Sequence, residues 1–202
     1  MLFDLIVFDG VDELDVIGPL EVLRRAEALG ADCRTRLCGS VPGQTVSGAF
    51  GVRFEPDHVF VPGQADVVVV PGGGWVARAD RGAWSEVKRG HWPALLAEAS
   101  ASGAVMAGVC TGTLLLAHAG VVGGRRATTH HDAQADLAAL GAAVVGQRVV
   151  DEGQLVTSGG VTSGIDLALW FVFRFFGAGL AGVVAEGLEY PWLAPVSQDS
   201  QA

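Results

Sequence analysis

The stretch Ala104-Val105-Met106-Ala107-Gly108-Val109-Cys110-Thr111-Gly112-Thr113-Leu114-Leu115-Leu116-Ala117 constrains this chain more than any other. One apolar run reaches Gly108-Val109-Cys110-Thr111-Gly112, and a second starts directly behind it. The first has the length of a buried parallel strand, the second the length and Leu/Ala content of a helix. Only a very sharp turn joins them. Gly108 and Gly112 lack Cβ, so strand and helix can cross closely there. The pattern is the cysteine counterpart of the Gly-x-Ser-x-Gly nucleophile elbow, whose strained central residue stands clear of the sheet. A helix N-terminus directly behind the cysteine favours an anion, which predicts a Cys110 that is at least partly thiolate. A plain core cysteine does not need glycine at both −2 and +2.

The remaining chain alternates strand and helix patterns around this elbow. Leu2–Phe8 reads as a buried strand. Asp12-Glu13-Leu14-Asp15-Val16-Ile17-Gly18-Pro19 leads into a helix, with Pro19 in its first turn and Gly30 at its end. Arg34–Cys38 is a second strand, and Val46 with Val52–Phe54 a small hairpin. Ala65–Val70 is a strand buried on both faces. It closes in Pro71-Gly72-Gly73-Gly74, whose N–H groups can form an anion-binding nest. A helix is expected over Trp92–Ser102 and another after the elbow as far as Gly120. Arg126–Thr129 is a short strand running into His130-His131, and Ala133–Leu140 a helix. Ala143–Val145 and Arg148–Val150 are expected to pair around Gly146-Gln147. Gln154–Thr157 is a strand, Ser163–Phe176 a helix and Leu180–Leu188 a last short helix. The polar tail from Ser197 is expected to fray.

Such alternation implies an α/β fold, a mainly parallel sheet with helices on both faces. At 202 residues, with no linker, composition shift or internal repeat, the chain reads as one domain spanning 1–202. A formal net charge of −9, and no basic stretch longer than Arg24-Arg25 or Arg125-Arg126, exclude nucleic acid as the expected partner. Ala101–Gly124 lacks charge, but Gly103, Gly108, Gly112, Gly120 and His118 break it up, so strand, elbow and helix explain it better than a membrane span. Met1 runs straight into a strand pattern containing Asp4, with no signal peptide. Cys33, Cys38 and Cys110 give an odd count without metal-type spacing, so a reducing cytoplasm is expected.

Ligands of parallel sheets bind beyond the carboxyl ends of the strands. Asp12–Asp15, Pro71–Gly74, Cys110-Thr111 and Thr129–His131 all follow strands, so topology gathers them into one crevice. The proton partner of Cys110 is then Asp12, Glu13, Asp15, His130 or His131. A carboxyl within reach of a thiolate must itself hold a proton, because two anions in contact repel, and it can then act as a general acid. Trp75, Trp84 and Trp92 read as packing residues.

Asp15 before Gly18-Pro19, Pro71-Gly72-Gly73, the Cys110 elbow, Ala127-Thr128-Thr129-His130 and Ser158-Gly159-Gly160-Val161-Thr162-Ser163-Gly164-Ile165-Asp166 together resemble the DJ-1/PfpI superfamily nearly end to end. Within it, Leu14–Pro19, the Val-Cys-Thr-Gly elbow, Gly124–His130 and Leu188-Glu189-Tyr190 are most similar to the isocyanide hydratase branch. The resemblance implies a flavodoxin-like three-layer sandwich and a homodimer. It also implies Cys110 as nucleophile, Asp15 as its acid, and a pocket lined by Thr111, the amides of Gly72 and Gly73, and His130. The reaction it implies is hydration of an isocyanide to a formamide, a small-molecule activity needing no metal or organic cofactor. The competing readings are a glyoxalase- or deglycase-like hydrolase, a protease, and a ligand or redox sensor built on Cys110. No basic helical extension follows the last helix up to Ala202, so direct DNA binding is not expected. The aromatics Trp170, Phe171, Phe173, Phe175 and Phe176 exceed what one helix face can hide, and a second layer or a partner subunit must cover them.

Overall fold

The computed structural model describes residues 1–192. In chain order the elements are β1 (Leu2–Ile6), α1 (Glu13–Ala28), β2 (Arg34–Gly39), β3 (Val46–Ser47), β4 (Arg53–Phe54), β5 (His58–Val59) and β6 (Val67–Val70). Then come α2 (Ala83–Arg89), α3 (His91–Ala101), β7 (Val105–Val109), α4 (Gly112–His118), β8 (Arg126–Ala127), a 3-10 turn (His131–Ala133), α5 (Gln134–Ala139) and β9 (Ala143–Val144). The series closes with β10 (Val149–Asp151), β11 (Leu155–Ser158), α6 (Ser163–Phe176) and α7 (Ala178–Gly187).

The main sheet has the order β10-β11-β7-β6-β1-β2-β5 and is parallel except at its β10 edge. Helices α1, α6 and α7 pack together on one face, and α2, α3, α4 and α5 on the other, giving the flavodoxin-like sandwich. Both faces of the central strands are covered, which is why β6 and β7 are buried at every position. After β1 the chain winds outward through β2 and β5, then returns to place β6 on the other side of β1. The crevice where winding reverses opens between the carboxyl ends of β1 and β6, beside that of β7. Asp4 on β1 is fully buried and sits in register with Arg36 on β2, which grips it through Nε at 2.7 Å and Nη2 at 2.8 Å.

Two expectations need correction. Helix α1 starts at Glu13, with Asp12 as N-cap accepting from the Leu14 N–H, so Pro19 lies inside the helix and not in its first turn. The bulk of Pro19 is used there: Gly18 and Pro19 meet Gly164 and Ile165 of α6 so closely that a Cβ at Gly18 or Gly164 would be crowded. The segments 143–145 and 148–150 do not pair with each other. β9 joins β8 in parallel, and β10 joins β11 antiparallel, because tertiary partners satisfy both backbones better than a tight hairpin through Gly146. Strand β5 and helix α2 carry too little periodicity to read from sequence. Of the α6 aromatics Phe171 is fully buried within the fold, against Phe3 and stacked on Phe175, while Trp170, Phe173, Phe175 and Phe176 are half-buried.

No helix among the described residues is long and apolar enough to cross a membrane, and the uncharged stretch 101–124 is divided among the end of α3, β7 and α4. The tail from Ser197 lies outside the described residues.

Candidate active site

Cys110 follows β7 with φ +54°, a left-handed backbone that a residue with a Cβ rarely adopts. The flanking glycines explain how the turn closes. A Cβ at Gly112 would run into the carbonyl oxygens of Val70 and Pro71, and one at Gly108 into Thr113. Neighbouring strand ends hold the strained residue. Its N–H lies 3.2 Å from the Ser158 carbonyl and 3.0 Å from that of Gly159, and its own carbonyl accepts from Thr129 Oγ1 at 2.7 Å.

The structure separates the three carboxylates that follow β1. Asp12 caps α1. Glu13 turns under the β3–β4 hairpin, where Oε1 accepts from the Phe50 N–H at 2.7 Å and the Val52 N–H at 3.2 Å. Asp15, fully buried in the first turn of α1, faces the elbow. Its Oδ2 accepts from the Gly72 N–H at 2.9 Å, while Oδ1 has no hydrogen-bond partner of standard geometry. The Cys110 side chain is close enough to favour the charged form of the Asp15 carboxyl, more weakly than the Gly72 amide does.

Burial and the nearby charge of Asp12 push the Asp15 pKa up to about 8, against the opposing Gly72 amide. Asp15 therefore holds its proton at neutral pH. Cys110 is 5% exposed, and its thiol is pushed well above its ordinary value by burial and then by Asp15. This corrects the expectation of a partly ionised resting Cys110. The amides of Val161 and Thr111 favour the thiolate, but desolvation of a buried sulfur beside a carboxyl outweighs them. The resting pair is a thiol beside a protonated acid.

The amides of Gly72 and Gly73 are both occupied: Gly72 donates to Asp15 and Gly73 to Thr111 Oγ1 at 3.0 Å. They position the acid and the elbow threonine. His130 is half-buried at the edge of a cleft of about 380 Å³, lined also by His131, Gln134, Arg148, Gly160 and Val161. Its Nδ1 accepts from the Asp132 N–H at 3.2 Å. His130, His131 and Asp132 offer ligand atoms within 4.8 Å of one another, and the two rings are stacked at 4.3 Å. Trp75 and Trp92 are buried packing residues, and Trp75 Nε1 also donates to Asp136 at 2.6 Å.

The sequence reading missed Val161. This β-branched residue has φ +47° and follows Gly159-Gly160, where the Gly159 carbonyl accepts from the Cys110 N–H, and its amide favours the charged forms of both Cys110 and Asp15. The preceding Gly159-Gly160 was the one available signal, since glycines mark a turn but not which neighbour carries its strain.

A flavodoxin-like sheet with a strained cysteine at a strand-to-helix elbow, and a buried acid in the helix after the first strand, defines a class of small α/β proteins. The chain belongs to the DJ-1/PfpI family, whose profile matches residues 4–173. It is similar to an isonitrile hydratase of Pseudomonas putida, 33% identical over 198 residues, covering 96% of this chain and 81% of that protein. Among solved structures it is similar to a ThiJ/PfpI family protein from Pseudomonas syringae, with a TM-score of 0.82 and 24% identity over 98% of this chain and 78% of the other. Drosophila melanogaster DJ-1beta superposes with a TM-score of 0.78 and 25% identity, over 95% of this chain and 98% of that one.

Proposed function

We propose that this protein hydrates an isocyanide to an N-substituted formamide, with Cys110 as nucleophile and Asp15 as general acid. The observation that carries the reading is the fully buried Asp15 carboxyl, held by the Gly72 N–H beside the elbow, where burial favours its protonated form. The similarity to isonitrile hydratase supports it. The terminal carbon of an isocyanide is electrophilic and gains a lone pair on attack. Cys110 Sγ bonds to that carbon, Asp15 delivers its proton to the same carbon, and the thiol proton replaces the one Asp15 gave. The product is a covalent thioimidate. Water then adds across the C=N bond, its oxygen to carbon and a proton to nitrogen. The C=O double bond forms, the C–S bond breaks, and the hydroxyl proton returns to sulfur. Formamide leaves and the thiol is restored.

These steps use only a nucleophile, an acid and water. Thr111, held by the Gly73 amide, fixes the elbow behind the sulfur. His130, which borders the neighbouring cleft, is assigned to substrate binding. The free Cys33, Cys38 and Cys110 suit a reducing compartment such as the cytoplasm. The test is turnover of a simple aliphatic isocyanide, followed by formamide absorbance. Wild type is expected to turn over, and Cys110→Ala to be inactive with its fold intact. Normal activity in Cys110→Ala refutes the role of Cys110. Covalent modification of wild type without turnover favours a sensor instead.

A further inference from the structure

We propose that Arg148, Asp166 and Tyr190 are positioning residues for the cysteine site, forming a clamp that holds the Gly159–Thr162 turn, whose Gly159 carbonyl accepts the Cys110 N–H at 3.0 Å, and so sets the backbone of the elbow. The three come from distant parts of the chain: the approach to β10, the first turn of α6, and the segment after α7. Arg148 grips the turn at both ends. Its backbone carbonyl accepts from the Gly159 N–H at 3.0 Å, and its Nη2 donates to Thr162 Oγ1 at 3.2 Å. Thr162 is free to accept because, although it is the N-cap of α6, its side chain makes no capping bond.

Asp166 and Tyr190 in turn fix the guanidinium. Arg148 Nε donates to Asp166 Oδ2 at 2.9 Å, and Nη2 also bonds to Asp166. Nη2 donates to the Tyr190 hydroxyl at 3.3 Å, and that hydroxyl donates to Asp166 Oδ2 at 2.9 Å. A forked guanidinium with several acceptors fixes orientation as well as charge. Between the two gripped ends lies Val161 at φ +47°. A β-branched residue in that region persists only where its surroundings over-determine it. The Arg148 side chain is half exposed, so its ion pair adds little to global stability, and its consequence is local. This inference concerns the reactivity of Cys110 and does not depend on which substrate the site takes.

The test is the rate of Cys110 alkylation by iodoacetamide, read by mass spectrometry at that residue across pH 6 to 9, together with melting temperature. Asp15 and Asp12 are the titratable groups that act on Cys110, and both are unchanged in the variants. Arg148→Lys, Asp166→Asn and Tyr190→Phe should each slow alkylation about three- to tenfold at a given pH, the effect of misaligning one hydrogen bond to the Cys110 backbone. Arg148→Lys keeps the positive charge, so loss of field alone would leave its rate unchanged. Thr162→Val removes the acceptor, and combined with Arg148→Lys it should slow the reaction by less than the product of the single effects. Wild-type alkylation rates in Arg148→Lys and Thr162→Val, whatever their melting temperatures, overturn the proposal. Faster alkylation also overturns it, because the network would then be shielding Cys110. Should those variants fail to fold, Tyr190→Phe decides alone, since it removes a single oxygen.

Discussion

Asp15→Asn separates the chemistry of the site from its stability, and the two effects run in opposite directions. The amide keeps the size of the carboxyl and can still accept from the Gly72 N–H, but it cannot readily protonate carbon. Loss of a general acid costs about two to four orders of magnitude in rate. Stability follows from the raised pKa. Asp15 rises from 3.8 to about 8 on folding, so the folded state binds its proton more tightly than the unfolded chain. The resulting stability is fully present below about pH 4 and is lost as pH rises towards 8. About four units at about 1.4 kcal/mol each set an upper limit of roughly 6 kcal/mol. Even a quarter of that corresponds to about 3–6 °C in melting temperature for a chain of this length. Asp15→Asn does not titrate. It should therefore melt close to wild type at pH 5 and several degrees above it at pH 9, while losing nearly all isocyanide turnover. Asp15→Glu should stay active but impaired, about a hundredfold down, because the acid is displaced by roughly 1 Å. The assays are thermal melts at the two pH values and formamide formation at pH 7. A melting difference that does not change with pH would falsify the protonated carboxyl. Retained turnover in Asp15→Asn would move the acid elsewhere, with His130 the next group to test.

Gly112→Ala should give insoluble or grossly destabilised protein, because its Cβ would enter the space of the Val70 carbonyl; a soluble variant with wild-type melting contradicts the elbow packing. Arg36→Ala leaves Asp4 fully buried without its cation and should cost about 3–5 kcal/mol in denaturant unfolding, whereas a cost below about 1 kcal/mol would mean that Asp4 finds another partner. The protein is expected to be a homodimer. Its surface carries Leu14 and Ile17 on α1 beside Phe50 and Val52 of the hairpin, which Glu13 ties to α1, and Phe50 is 84% exposed. Light scattering should give twice the chain mass, and Phe50→Glu with Leu14→Ser should give monomer; a monomeric wild type at micromolar concentration counts against this surface.

Elements whose signal is local were legible in the sequence. The elbow needs Gly108 and Gly112 because two backbones cross there, and glycine is the only residue that permits it. The Ser163–Phe176 helix, the Val67–Val70 strand and the parallel α/β class likewise follow from periodicity and from burial on both faces. The grouping of the strand ends was legible because a parallel sheet brings the carboxyl ends of β1, β6 and β7 side by side. Tertiary structure decided the rest, since it depends on groups far apart in the chain. Asp12, Glu13 and Asp15 are equivalent on paper, and only the packing of α1 against the Gly72 loop and the hairpin gave them three different tasks. Pro19 reads as a helix start, yet its close packing against Gly164 across α1 and α6 places it inside. Cys110 reads as an anion from the helix behind it. Its protonation is set by desolvation and by Asp15, ninety-five residues earlier, and a sequence does not display the dielectric its own folding creates.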